Sequence, residues 1–257
     1  MPQPGEPVLS LGPALVLPTI GPWAAAFAAH ACAGDDLLDE LRGVGAPVQI
    51  VDAESGAATD WLELTAAATS LSVRLPAPGD PAGIPPGPAG VAAAGAGEAL
   101  VVVTRDDDSL IVAGEHAPDR PMRWLLHRVA AAPDPDYGGL GQARSAMIDA
   151  IGDATGALIV MRSTSVGDAS TLHDDLARHT ARYSPVFPPG ALARPVDIAG
   201  LAARALAIVA LARERQTSFG LASAAAERSE ATLREVEAAA RRALATAVNR
   251  VIDEYRR

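Results

Sequence analysis

Apolar and polar positions change their rhythm about halfway along the chain. In the first half, short apolar runs alternate with polar turns. Val8–Leu17 reads as extended, and Pro22 opens a helix over Trp23–Ala33, since proline suits the first helical turn. Asp35–Arg42 continues helical and Val48–Val51 is a short strand. Thr59 or Asp60 caps a helix carrying Trp61, Leu62 and Leu64. Leu71–Leu75 alternates as a half-buried strand. Ala99–Thr104 and Leu110–Ala113 form a hairpin across Arg105–Ser109. Asp119 and Pro121 then open a helix bearing Met122, Trp124, Leu125, Leu126 and Val129.

Beyond the loop Pro133–Gly141 nearly everything is helical. Gln142–Met161 places apolar residues at i+3 and i+4 spacing, although Ala157–Val160 also reads as a strand. Asp168–Arg182 is a second helix, and Ser184–Pro195 is a proline-rich link. Ile198–Glu214 is apolar nearly all round, which predicts a central buried helix. Ser223 caps a final helix to about Tyr255, roughly 50 Å long at 1.5 Å per residue. The fold class expected is α+β: a small mixed sheet with short helices over 1–140, and a helical bundle over 141–257.

Composition narrows the chemistry. All 21 basic residues are arginine, so no lysine is present to form a Schiff base or reach a nucleotide phosphate. Cys32 is the only cysteine, which excludes an intrachain disulfide and a cysteine-ligated metal. The apolar stretch Pro13–Ala33 lacks a basic n-region and is broken by Pro18, Gly21 and Pro22, so it is read as a strand and a buried helix. Cytoplasmic localisation is the default expectation, with no membrane partner.

Charge divides the chain unevenly. Residues 1–140 hold 6 Arg against 18 Asp and Glu, or −12; residues 141–257 hold 15 Arg against 13, or +2. An acidic chain of net charge −10 without a basic stripe is a poor nucleic-acid binder. The asymmetry suits halves that attract each other or a second copy.

Candidate sites are few. His30 and Cys32 sit two apart on an apolar helix and read as core residues. His173 and His179 lie about 120° apart around their helix, so one ion does not bridge them; Asp175–His179 is an i,i+4 pair without a nucleophile motif and, with Asp174–Arg178 beside it, reads as a solvated salt-bridged face. Asp106, Asp107 and Asp108 lack the distal glutamate of a calcium loop and read as a soluble hairpin tip. Gly95 and Gly97 precede their strand, unlike a dinucleotide fingerprint. Neither cofactor nor metal is expected. One stretch stands apart: Pro76–Gly90 packs six prolines and four glycines into fifteen residues. If it folds across the sheet, Arg74, Asp80 and His116 line a ligand pocket; otherwise Asp80 simply caps a turn.

The run R-L-P-A-P-G-D-P-A-G-I-P from Arg74 to Pro85, followed by A-G-E-A-L-V-V-V from Ala96 to Val103, resembles a family of actinobacterial proteins. The resemblance continues in P-P-G-A-L from Pro188, A-L-A-I-V-A-L-A from Ala205 and S-A-A-A-E from Ser223, about a third of the chain in all. It brings no activity with it. The first half is also similar, more loosely, to EspG, the cytosolic chaperone of mycobacterial type VII secretion. That likeness rests on D-E-L-R-G-V-G from Asp39, Trp61-Leu62, Val73-Arg74 and V-V-V-T-R from Val101. The second half departs from it, being helical where strands are expected. A protein-interaction or adaptor protein, with a protein partner or as a homodimer and without catalysis, is the expectation. A small-molecule-binding protein or enzyme with its pocket under Pro76–Gly90 is the alternative.

Overall fold

A computed structural model describes the backbone of residues 14–106, 109–117, 120–160, 169–219 and 223–257; side chains within 116–121, 155–172 and 215–228 lie outside that description. Its class is α+β, with a mixed six-stranded sheet and short helices in the N-terminal half and helices in the C-terminal half.

Strands β1 (Gln49–Asp52), β2 (Ala58–Asp60), β3 (Ala68–Arg74), β4 (Ala99–Thr104), β5 (Ser109–Ala117) and β6 (Arg120–Val129) lie in the order β2-β1-β6-β5-β4-β3. Among the described residues only β1 and β6 pair in parallel. The hairpin predicted around residues 105–109 is present as β4 and β5, in the register Val103↔Ser109.

The segment after Pro121 corrects the reading above, because it is strand β6 and not a helix. Its neighbours decide the matter. Both edges of β6 are paired, to β5 and to β1, so every second residue is carried to one face. Trp124 and Leu126 enter the main core, and Trp124 meets Trp61 edge to face with ring centroids 5.5 Å apart.

One sheet face, built by Leu71, Val73, Leu100, Val102, Leu110, Val112, Trp124 and Leu126, belongs to the main core. Helices α1 (Leu17–Ala28) and α8 (Ser223–Tyr255) complete that core. Helix α1 begins five residues earlier than Pro22 predicts and carries Pro22 inside it. Pro18 takes the initiating position instead. The first backbone N–H groups, of Val16 and Leu17, donate to the carboxylate of Glu98 at 2.8 Å each. Gly21 lets α1 lie close on β3: a Cβ there would stand 2.6 Å from Val73 Cγ2.

Helices α2 (Gly34–Gly43) and α3 (Trp61–Ala67) flank α1, and Asp60 caps α3 by accepting from the Glu63 N–H at 2.7 Å. The opposite sheet face is small. There Ala99, Val101, Ile111 and Ala113 pack under Ile84 and α4 (Pro88–Ala96), a helix that starts inside the proline–glycine stretch with Pro88 in its first turn.

The C-terminal helices are α5 (Leu140–Val160), α6 (Ala169–Tyr183), α7 (Ala193–Phe219) and α8. Helix α7 packs against α5, α6 and α8. It is not buried all round: Leu201, Arg204 and Ile208 form an exposed stripe at i, i+3 and i+7. Its segment Ala193–Glu214 is long and apolar enough to cross a membrane, with mean hydropathy 1.7, and 56% of that window is buried against the rest of the chain.

Candidate functional site

Strand β3 lies at the sheet edge, and α8 runs beside it. Asn249 of α8 pairs its side-chain amide with the β3 backbone: Oδ1 accepts from the Val73 N–H at 2.7 Å and Nδ2 donates to the Val73 carbonyl at 2.9 Å. It thus supplies what a neighbouring strand would. Next to this clamp an open cleft of about 380 Å³ lies between β3, the last turns of α8 and the coil at residues 134–139. Ser70, Ser72, Arg74, Asp134, Tyr137 and Arg256 are among its lining residues.

Arg74 is buried at 2% exposure and its guanidinium pairs with Asp134, whose own side chain is 87% exposed. Its Nε–H is buried without a hydrogen-bond partner. Burial lowers the guanidinium from its ordinary value, and the Asp134 carboxylate opposes that shift. At the other end of β3, Arg256 Nη1 lies 3.3 Å from Ser70 Oγ. The lining contains neither histidine nor cysteine.

Asp80 does cap its own turn, accepting from the Ala82 N–H at 2.9 Å, while its backbone bridges to Ala77. It does more than that. Tyr137 donates its hydroxyl to the Asp80 carboxylate at 3.3 Å, and Arg242 of α8 stands 3.6 Å from the same group. Burial, with the Asp80 carboxylate beside it, pushes the Tyr137 phenol up to about 12, so it remains a donor. The proline–glycine loop is therefore locked to two other elements. Gly83, at φ +74°, completes the lock, because a Cβ there would come within 2.3 Å of the Pro133 carbonyl oxygen.

Arg74 lines the cleft, and Asp80 meets Tyr137 behind the same coil without lining it. The backbone of His116 lies on β5, and its side chain is outside the described ones. Asp134, Tyr137, Asn249 and Arg256 were absent from the sequence reading. Their only local signal is a polar, proline-broken coil and polar residues near a helix end, neither of which specifies a partner.

Other candidates resolve structurally. His30 is exposed just past α1 with φ +58°, so it is not a core residue, and Cys32 is half-buried. His179 is buried and its Nε2 lies 3.1 Å from Glu214 on α7, a partner that spacing did not suggest. Asp175 accepts from Arg178 at 2.7 Å. Asp107 and Asp108 lie outside the described residues. Among the described residues no three His, Cys, Asp or Glu side chains gather as metal ligands would.

A buried acid that sequence reasoning passed over is Glu98, 1% exposed at the start of β4. Burial drives its carboxyl up to about 8, against the two backbone donors of α1 and the Arg241 guanidinium. Arg241 itself reaches from α8 to the Gly97 carbonyl at 2.7 Å and to Glu237 at 2.9 Å.

Comparison with known proteins gives a family and little else. A family model described as the N-terminal domain of Rv1486c-like protein matches residues 18–137. A second, described as the C-terminal domain of the same protein, matches residues 141–245. No curated protein and no solved structure matches the chain. Together the two family models cover both halves of the sequence in order, and the chain belongs to the Rv1486c-like protein family.

Proposed function

We propose that this is a non-enzymatic, cytoplasmic protein-interaction or adaptor protein, docking a protein partner or a second copy on the outer side of α5 and α7. The observation that carries the reading is the set of large aliphatic side chains there. Ile148 and Ile151 on α5 are 43% and 36% exposed, and Leu201 and Ile208 on α7 are 39% and 51% exposed. Single exposed aliphatics are ordinary. Two on each of α5 and α7, at i,i+3 and i,i+7 spacing, are stripes of the kind a helical partner covers. A secretion-chaperone role of the EspG kind would be one form of this reading. Neither nucleic acid nor a membrane is among the partners proposed.

The test is a tagged pull-down from the source lysate beside light-scattering chromatography, comparing the native chain with a Leu201→Glu/Ile208→Glu double variant. A stoichiometric partner or dimer lost in a folded variant supports the reading. A partner retained by that variant places the docking surface elsewhere.

A second reading, a small-molecule-binding protein, is favoured by the Arg74 cleft. A nearly inaccessible arginine with one N–H left over, beside an open polar cavity, is unusual for a purely structural ion pair.

A further inference from the structure

We infer that the cleft between β3 and the end of α8 binds a small dicarboxylate, with Asp134 standing where one ligand carboxylate docks on Arg74. The inference rests on the ligand-binding reading of this cleft.

Charge is the first support. The chain carries −10 overall, yet three arginines, Arg74, Arg250 and Arg256, line this cleft against Asp134 and Asp253, with Arg250 paired to Glu254 at 3.2 Å. The Arg74 pair is the second. A carboxylate that meets a guanidinium side-on takes Nε–H and Nη2–H together. Asp134 takes only Nη2 and leaves the buried Nε–H without a partner. Asp134 also projects from a coil segment with most of its side chain in water, so it can leave without breaking a helix or strand.

A second station lies across the cleft. Arg256 meets the Ser70 hydroxyl there, and Ser72 is a further hydroxyl residue of the lining, whereas the Thr246 hydroxyl donates to the Arg242 carbonyl at 2.8 Å. Two separated guanidinium groups suit two separated carboxylates. A compact dianion such as phosphate is less well served. Arg74 stands at the end of β3 and Arg256 reaches Ser70 near its start, so the two guanidinium groups lie apart along the strand.

The experiment is calorimetric titration of the full chain with glutarate and, separately, inorganic phosphate. The native protein is compared with Asp134→Asn and Arg256→Gln, both exposed positions. Glutarate should bind the native chain, bind Asp134→Asn about threefold tighter because an internal competitor is gone, and bind Arg256→Gln about tenfold more weakly. Binding of phosphate but not glutarate would overturn the carboxylate class while leaving the cleft a ligand site. Glutarate affinity that is the same in all three proteins would place the ligand elsewhere and overturn the inference. If neither anion binds the native chain or Asp134→Asn at millimolar concentration, the inference and the ligand-binding reading fall together.

Discussion

Replacing Glu98 by glutamine should leave stability nearly unchanged in mild acid and raise it in alkali. In the folded chain burial holds the carboxyl to about 8, whereas unfolding returns it to its ordinary value of 4.5. Between those values the folded state keeps a proton that the unfolded state has released. Stability conferred by the protonated acid is therefore complete below pH 4.5 and is lost progressively up to pH 8, at about 1.4 kcal/mol per pH unit. The whole window is worth about 5 kcal/mol. Glutamine retains an oxygen for the Val16 and Leu17 N–H groups and carries no charge to bury. Glu98→Gln should accordingly match the native chain near pH 5 and exceed it by several kcal/mol near pH 9. Urea unfolding followed by fluorescence of the buried Trp61 and Trp124 measures this directly. If Glu98→Gln is the less stable protein at pH 9, the α1 dipole and Arg241 outweigh burial, and the reasoning fails.

Two further substitutions probe the elements around the cleft. Asn249→Ala removes both bonds to Val73 and should cost about 2 kcal/mol, with amide exchange at Val73 sharply accelerated; unchanged exchange would mean the clamp is not formed in solution. Gly83→Ala adds a Cβ at a left-handed φ and against the Pro133 carbonyl, so a loss of about 2 kcal/mol or more is expected in thermal unfolding, and no loss would show the two loops are not in contact.

How far the sequence could be read follows from the range of the forces involved. Local signals succeeded. Asp60 caps α3 as its position before Trp61 suggests, β4 and β5 pair on either side of the polar run, and the spacing of α5 to α8 located four helices. Failures occur where a distant neighbour decides. The run Trp124-Leu125-Leu126 fits both a helix and a strand period, and pairing to β1, some 74 residues earlier by Ile50↔Trp124, settles it as strand. Proline at 22 and at 18 are equally good helix starters, and Glu98, far along the chain, fixes the earlier start. The site behaves in the same way. Arg74 and Asp80 are legible as neighbours of an unusual loop, but their partners Asp134 and Tyr137 lie 60 and 57 residues away. Nothing in a polar coil declares which arginine it will meet.

The clamp between Asn249 and Val73 has a consequence for the order of events during synthesis. Its two residues are 176 positions apart, and α8, made long after β3, also contributes to the core under β3 and α1. At ribosomal rates of roughly 5–20 residues per second, β3 waits about 10–35 s for its edge to be covered. Throughout that interval the nascent chain presents an open strand edge and an apolar sheet face. A truncation that removes α8 should accordingly leave the chain prone to edge-to-edge aggregation.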